Sequence, residues 1–138
     1  MYDRLLVAVD HSETTGRVVN AAREMAALSN GEVWVLHVRE KDIVPCAGFL
    51  MPKSAEEGQS MEENAVRVLR HADIKAHYEV RTAIHGQVAW EIVRAARAHD
   101  ASIIMMGSRR RRDLTSLILG SAAQEVIRLS GRPVLVVR

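Results

Sequence analysis

The chain has little of what disulfide-bonded and nucleic-acid-binding proteins depend on. Its single cysteine, Cys46, excludes a disulfide within the chain and favours a reducing compartment. Aromatic residues make up only 4% of its 138 residues. So few aromatic side chains argue against stacking on nucleic-acid bases, and we expect no nucleic acid partner. What remains, 48% hydrophobic and 26% charged residues, is typical of a globular domain, and we expect one domain over residues 1–138.

Net charge and long apolar runs are also limited. The 19 basic and 17 acidic residues leave a formal charge of +2, which is too small to indicate a nucleic-acid or membrane surface. The first apolar run covers residues 5–9 and stops at Asp10, which is too short for a signal peptide or a membrane span. We therefore expect a cytoplasmic protein without membrane contact.

Short apolar runs alternate with segments of helical periodicity along the whole chain. The expected strands cover residues 5–9, 32–38, 74–82, 102–106 and 134–137. Strands that alternate with helices indicate an α/β fold, a doubly wound five-stranded parallel sheet with helices on both faces. Residues 74–82 alternate in polarity, which places that strand at an edge of the sheet.

A long segment, residues 39–53, is predicted to be irregular. It is unusually apolar for a loop, with Ile43, Val44, Phe49, Leu50 and Met51. Three interpretations stay open: a lid over a binding crevice, a contact with a partner, or a segment that folds back on its own domain.

Parallel sheets of this kind bind ligands outside the carboxyl ends of their strands. Asp10 stands at such an end, where its carboxylate would bind a ribose hydroxyl or an adenine, or would cap the following turn. Gly107-Ser108 stands at another end and leads into four arginines, residues 109–112. An arginine next to the strand end, Arg109 first, would attract a phosphate.

The pair Gly120-Ser121 opens the last helix, eight residues after that arginine run. Backbone N–H groups at a helix start lack partners, so a phosphate can bind them, and glycine permits its close approach. An alternative needs no ligand, because Ser121 and Gln124 fit a capping box.

Five separate segments of the sequence resemble the universal stress protein family over essentially the whole length. They are LLVAVDHSE at 5–13, LHV at 36–38, ASIIMMGSR at 101–109, LGS at 119–121 and RPVLVV at 132–137. The resemblance implies a Rossmann-like sheet of the adenine nucleotide alpha-hydrolase type with strand order 3-2-1-4-5. It also implies a nucleotide, ATP or AMP, between the first and fourth strands, and leaves open whether Mg²⁺ accompanies it.

The nucleotide-binding branch of that family carries Gly, two residues, Gly, nine residues, then Gly with Ser or Thr. This chain has Gly107 and Gly120-Ser121 at that spacing, but Arg110 replaces the middle glycine. No catalytic residue or metal ligand is predicted. The expected nucleotide-binding residues are Ala8, Val9, Asp10, Val38, Met106, Gly107, Ser108, Arg109, Arg110, Gly120, Ser121 and Ala122.

The last strand, Val134–Val137, is apolar and uncharged, which is a pairing hazard for an exposed sheet edge. Pairing with a second copy across a two-fold axis removes that hazard, and the resemblance implies the same homodimer. The first hypothesis is thus a dimeric nucleotide-binding regulatory protein of the stress response, with slow or absent hydrolysis and unknown protein partners.

Two alternatives remain. In one, Arg110 abolishes nucleotide binding and the dimer acts as a protein-interaction module. In the other, the chain is an enzyme that adenylates or cleaves ATP. Such enzymes carry a glycine-rich loop after the first strand, whereas here no glycine follows Asp10 until Gly16. No general base is placed against a nucleophile in the sequence, so turnover is not predicted.

Overall fold

The computed structural model of the chain describes residues 1–43, 50–52, 55–108 and 119–138, and for residues 42–43, 50–52 and 55–60 it describes the backbone alone. Six strands and four helices lie within these ranges. In chain order they are β1 (Arg4–Val9), α1 (Thr15–Ser29), β2 (Glu32–Ile43), β3 (Leu50–Pro52), α2 (Ala55–His71), β4 (Lys75–Ile84), α3 (Val88–Ala98), β5 (Ile103–Gly107), α4 (Ser121–Ser130) and β6 (Val134–Val137).

Five of these strands form one parallel sheet in the order β4-β2-β1-β5-β6. Counted along the chain without the short β3, this is the order 3-2-1-4-5, so the predicted topology is confirmed. Within the described ranges β4 pairs with β2 alone, which confirms its predicted place at an edge. No helix in that part of the chain is both long enough and apolar enough to cross a membrane.

Each face of the sheet carries its own apolar core. Helices α1 and α2 cover one face, and α3 and α4 cover the other. Successive residues of a strand point to opposite faces, so Leu5 and Val7 of β1 lie in the first core and Leu6 lies in the second. All three are fully buried. Burial on both faces explains why β1 is a continuous apolar run rather than an alternating one.

The prediction that residues 39–53 are irregular was wrong for part of that segment. β2 continues to Ile43, and β3 pairs antiparallel with its end, Lys41 opposite Pro52. Lys41 also pairs with Ile84 of β4, which takes up one edge of β2. β3 must therefore pair with the other edge, the same edge that pairs with β1 nearer the start of β2. β3 therefore lies beyond the carboxyl end of β1. The interpretations of this segment as a lid, a partner contact or a self-packed loop rest on side chains outside the described residues and stay predictions.

Candidate functional site

The chain leaves two neighbouring strands, β1 and β5, toward opposite faces of the sheet. After β1 it forms α1 on one face, and after β5 it forms α4 on the other. Ligands of doubly wound sheets bind at such a switch point. Ala8 pairs with Met106 here, so the two strand ends lie side by side and form the crevice between β1 and β5. The predicted residues that the fold brings to this end are Ala8, Val9, Asp10, Val38, Met106, Gly107 and Ser108.

Asp10 organises the turn that follows β1. Its Oδ1 atom accepts a hydrogen bond from the backbone N–H of Ser12 at 2.8 Å. The hydroxyl of Thr15 donates to the Asp10 carbonyl at 2.5 Å and accepts from the Asp10 N–H at 3.3 Å. These bonds correspond to the alternative in which the carboxylate holds a turn. A ligand contact of Asp10 stays a prediction.

Gly107 has a packing role that the sequence did not reveal. A Cβ atom at this position would overlap Oγ1 of Thr14 and lie 3.0 Å from its Cβ. Oγ1 of Thr14 is itself 2.7 Å from the hydroxyl oxygen of Ser12. The φ angle of Gly107 is not positive, so glycine is required here for close approach and not for backbone conformation. The absence of a side chain lets the turn after β1 pack directly on the end of β5.

Ser108, the first residue after β5, is 3% exposed and carries an unsatisfied polar atom. Its backbone N–H donates to the carbonyl of Val137 at 2.9 Å, which joins the end of β5 to the end of β6. Within the described part of the chain, its Oγ atom has no hydrogen-bond partner. Leaving a buried hydroxyl without a hydrogen-bond partner costs about 1–3 kcal/mol of stability, so we expect Oγ of Ser108 to bind a partner.

The start of α4 carries no side-chain cap. Gly120 is the N-cap residue, with φ −59° and ψ 153°, so the predicted capping box of Ser121 and Gln124 was wrong. The amide of Gln124 instead donates to the carbonyl of Leu119 at 2.9 Å. Helix α4 runs antiparallel to the strands that it joins, which puts its start at the carboxyl end of the sheet. The first turn of α4, with the N–H groups of Ser121 and Ala122, therefore lies at the edge where the crevice lies, and its N-cap residue makes no side-chain hydrogen bond.

Two predicted residues, Arg109 and Arg110, lie outside the described residues. Their contribution to a phosphate site stays a prediction. Within the described ranges, no three His, Cys, Asp or Glu side chains are grouped so that they could hold a metal ion.

Sequence reasoning missed a buried acid beside the crevice. Glu62 of α2 is 0% exposed, and its Oε1 atom lies 2.6 Å from Nδ1 of His37. His37 is 7% exposed and pairs in the sheet with Val9, the last residue of β1. The ring of His11 contacts the His37 ring edge-on, with centroids 5.4 Å apart. His37 is thus an interior residue of the sheet, and its contact with Glu62 was not anticipated from the sequence.

Burial shifts both members of this pair toward their neutral forms. It raises the pKa of the Glu62 carboxyl to about 6. It lowers the pKa of the His37 ring, and the neighbouring His11 and Arg39 lower that pKa further, whereas Asp10 acts in the opposite direction. The side of the crevice toward α2 therefore holds a protonatable pair under little influence from bulk water.

The fold and this site define the chain as an α/β domain of the ligand-binding class, with a doubly wound sheet, a glycine at the switch point and a helix N-terminus beside it. Comparison with known proteins narrows the class. The model of the universal stress protein family matches residues 1–138. Universal stress protein YxiE of Bacillus subtilis is 29% identical to the chain over the full length of both. Universal stress protein MJ0577 of Methanocaldococcus jannaschii is 30% identical, over all of this chain and 96% of its own length.

The likeness extends to solved structures. A universal stress protein from Archaeoglobus fulgidus, solved in complex with dAMP, superposes with a TM-score of 0.75 at 25% identity. That superposition covers 99% of this chain and 98% of the other. The chain therefore belongs to the universal stress protein family.

Proposed function

We propose that the chain is a cytoplasmic adenine-nucleotide-binding regulatory protein of the stress response, with little or no catalytic turnover. ATP or AMP binds at the crevice between β1 and β5, and Mg²⁺ accompanies ATP through its phosphates rather than through a protein cage. The proposal rests on the start of α4, which has no side-chain cap from Gly120 and lies at the same edge of the sheet as Gly107.

Two features of the described residues and one of the sequence support a phosphate at this edge. The N–H groups of the first turn of α4 carry partial positive charge, and the N-cap residue Gly120 gives them no side-chain acceptor. Ser108 offers a buried hydroxyl that lacks a partner. The arginines at residues 109–112 follow directly in the chain and add positive charge. The relative from Archaeoglobus fulgidus, which was solved with dAMP, supports a nucleoside phosphate in particular.

Calorimetry with AMP and with ATP, each with and without Mg²⁺, tests the proposal. We expect a dissociation constant in the micromolar range for the wild-type chain. Gly120→Val is expected to weaken binding at least about tenfold, equivalent to about 1.4 kcal/mol, because a branched side chain blocks approach to the α4 N–H groups. The φ and ψ angles of Gly120 suit any residue, so this variant keeps the backbone.

The matched control is Gly16→Ala, because a Cβ at Gly16 would meet nothing within 4 Å. This variant should bind as the wild type does. If the wild type binds neither nucleotide, the chain is better explained as an interaction module in which Arg110 blocks the site. Arg110→Gly should then restore binding.

We propose further that the protein is a homodimer through β6. One edge of β6 pairs with β5, and no described strand covers its other edge. Leu135, near the middle of the strand, is 37% exposed. Strand pairing with a second copy covers both the free edge and this side chain.

Sedimentation analysis tests the dimer. The wild type is expected to sediment as a dimer, and Leu135→Lys as a monomer at low micromolar concentration, because lysine on an edge strand opposes pairing. Leu28→Lys is the control, since Leu28 of α1 is already 90% exposed. A Leu135→Lys protein that remains dimeric would exclude this strand as the interface.

A further inference from the structure

The buried face of α2 contains a carboxylate, Glu62, at a position where the other side chains are apolar. Ala65, Val66 and Leu69 form that face, and Glu62 stands three, four and seven residues before them. Residues at this spacing lie on one side of a helix, which explains why Glu62 is 0% exposed while its neighbour Glu63 is exposed. A buried carboxylate is costly unless it is neutralised or paired.

The partner that the fold supplies for Glu62 is His37 of β2. Oε1 of Glu62 and Nδ1 of His37 are 2.6 Å apart, which is within ion-pair distance but without the alignment of a hydrogen bond. Neither carboxylate oxygen has an aligned hydrogen-bond donor in the described part of the chain. With a neutral imidazole and an ionised carboxylate, the pair carries one buried negative charge, and a further proton removes that charge.

The charged groups around this pair face it from the crevice. Asp10 and His11 follow β1, and Arg39 lies two residues beyond His37 on the same face of β2. On α2, Glu63 is the next residue and adds negative charge. β4 presents Val80 opposite His37 and Tyr78 on the same face, and the buried face of α1 is aliphatic.

We propose that His37 and Glu62 form a proton-binding site that makes the nucleotide affinity of the crevice depend on pH. The ring of His37 contacts that of His11, which follows β1, so the negative charge of the pair lies beside the crevice and repels the negative charge of a nucleotide bound in it. Proton uptake removes that repulsion and strengthens binding. By thermodynamic linkage, nucleotide binding must in turn promote proton uptake. The coupling rests on the proposed nucleotide site, whereas the proton-binding site does not.

An NMR titration of the nucleotide-free protein tests the proton-binding site. The ¹³C carboxyl signal of Glu62 should change with a midpoint near pH 6. The ring ¹⁵N signals of His37 should respond to the same transition, because the two groups are in contact. In Glu62→Gln the transition shared by the two residues should disappear. A Glu62 carboxyl that titrates near its ordinary value of 4.5, independently of His37, would overturn the site.

Calorimetry with AMP at pH 7.5 and pH 5.5 tests the coupling. The affinity of the wild type should rise about fivefold more over this interval than that of Glu62→Gln, which resembles the protonated pair at both values. Glu63→Gln removes the same charge from an exposed neighbour and should follow the wild type. The titration of AMP itself is common to the three proteins and cancels in the comparison.

The failures of the two proposals are distinguishable. AMP binding with the same pH dependence in wild type and Glu62→Gln would overturn the coupling and leave the proposed function intact. Absence of AMP binding in all three proteins would overturn both the coupling and the proposed function, and the NMR titration would still decide whether the proton-binding site exists.

Discussion

Gly107→Ala is expected to lower the free energy of unfolding by about 1–3 kcal/mol, the usual cost of overpacking a tight site. The added methyl group would overlap Oγ1 of Thr14 and lie 3.0 Å from its Cβ. This short side chain has little freedom to move away, because its Oγ1 also contacts the hydroxyl of Ser12. The turn after β1 must therefore move away from the end of β5. Urea unfolding of the wild type and the variant measures the loss.

Gly16→Ala provides the comparison for this substitution. The new Cβ meets nothing within 4 Å, and alanine is the better helix former in the first turn of α1. Its free energy of unfolding should be unchanged or higher by up to about 1 kcal/mol. Equal effects of the two substitutions would show that the contact between Gly107 and Thr14 does not restrict the site.

Glu62→Gln is expected to stabilise the protein by about 2 kcal/mol at pH 7.5. Burial raises the pKa of this carboxyl from 4.5 to about 6, and that change corresponds to about 2 kcal/mol. The folded state therefore binds a proton more tightly than the unfolded state does. The ionised carboxylate destabilises the folded protein above pH 6, and this destabilisation disappears as the pH falls from 6 to 4.5. Glutamine carries no charge and avoids this cost at every pH.

Urea unfolding between pH 7.5 and pH 4.5 measures this difference. The advantage of Glu62→Gln should be largest at pH 7.5 and should vanish near pH 4.5. The lowered pKa of His37 has the opposite sign, since it removes stability as the pH falls through 6.5, but it acts in both proteins. Glu63→Gln should match the wild type throughout. A Glu62→Gln protein that is less stable at pH 7.5 would mean that His37 is charged and truly ion-paired.

The α/β class and the edge position of β4 were predictable from the sequence because the strands of this sheet differ in burial, whereas the strand order was implied by the resemblance to the family. β1 and β5 are buried on both faces and appear as uninterrupted apolar runs, whereas the edge strand β4 alternates in polarity. The continuation of β2 to Ile43 was not predictable in this way. The residues after Val38 are Arg39, Glu40, Lys41 and Asp42, which lack any apolar pattern. Their strand conformation depends on pairing with β3 and β4.

The location of the candidate site in the sheet was predictable, but the contacts of its residues were not. The switch point follows from the strand order, so the positions of Asp10 and Gly107 followed as well. The contact of Gly107 with Thr14 depends on how α1 docks, which local sequence does not specify. Glu62 did leave a signal, because it interrupts an apolar helical stripe at a spacing of three and four residues. That signal became meaningful only when the fold placed His37 opposite it.

The central position of β1 has a consequence for how the protein is made. β1 pairs with β2 within the first 37 residues, but its other edge pairs with β5, and Arg4 contacts Ser102 across a separation of 98 residues. A ribosome therefore releases β1 and β2 long before β5 emerges. Until then β1, whose residues Leu5, Leu6 and Val7 are fully buried in the folded protein, presents an unpaired edge, which is the type of surface that aggregates and that chaperones bind.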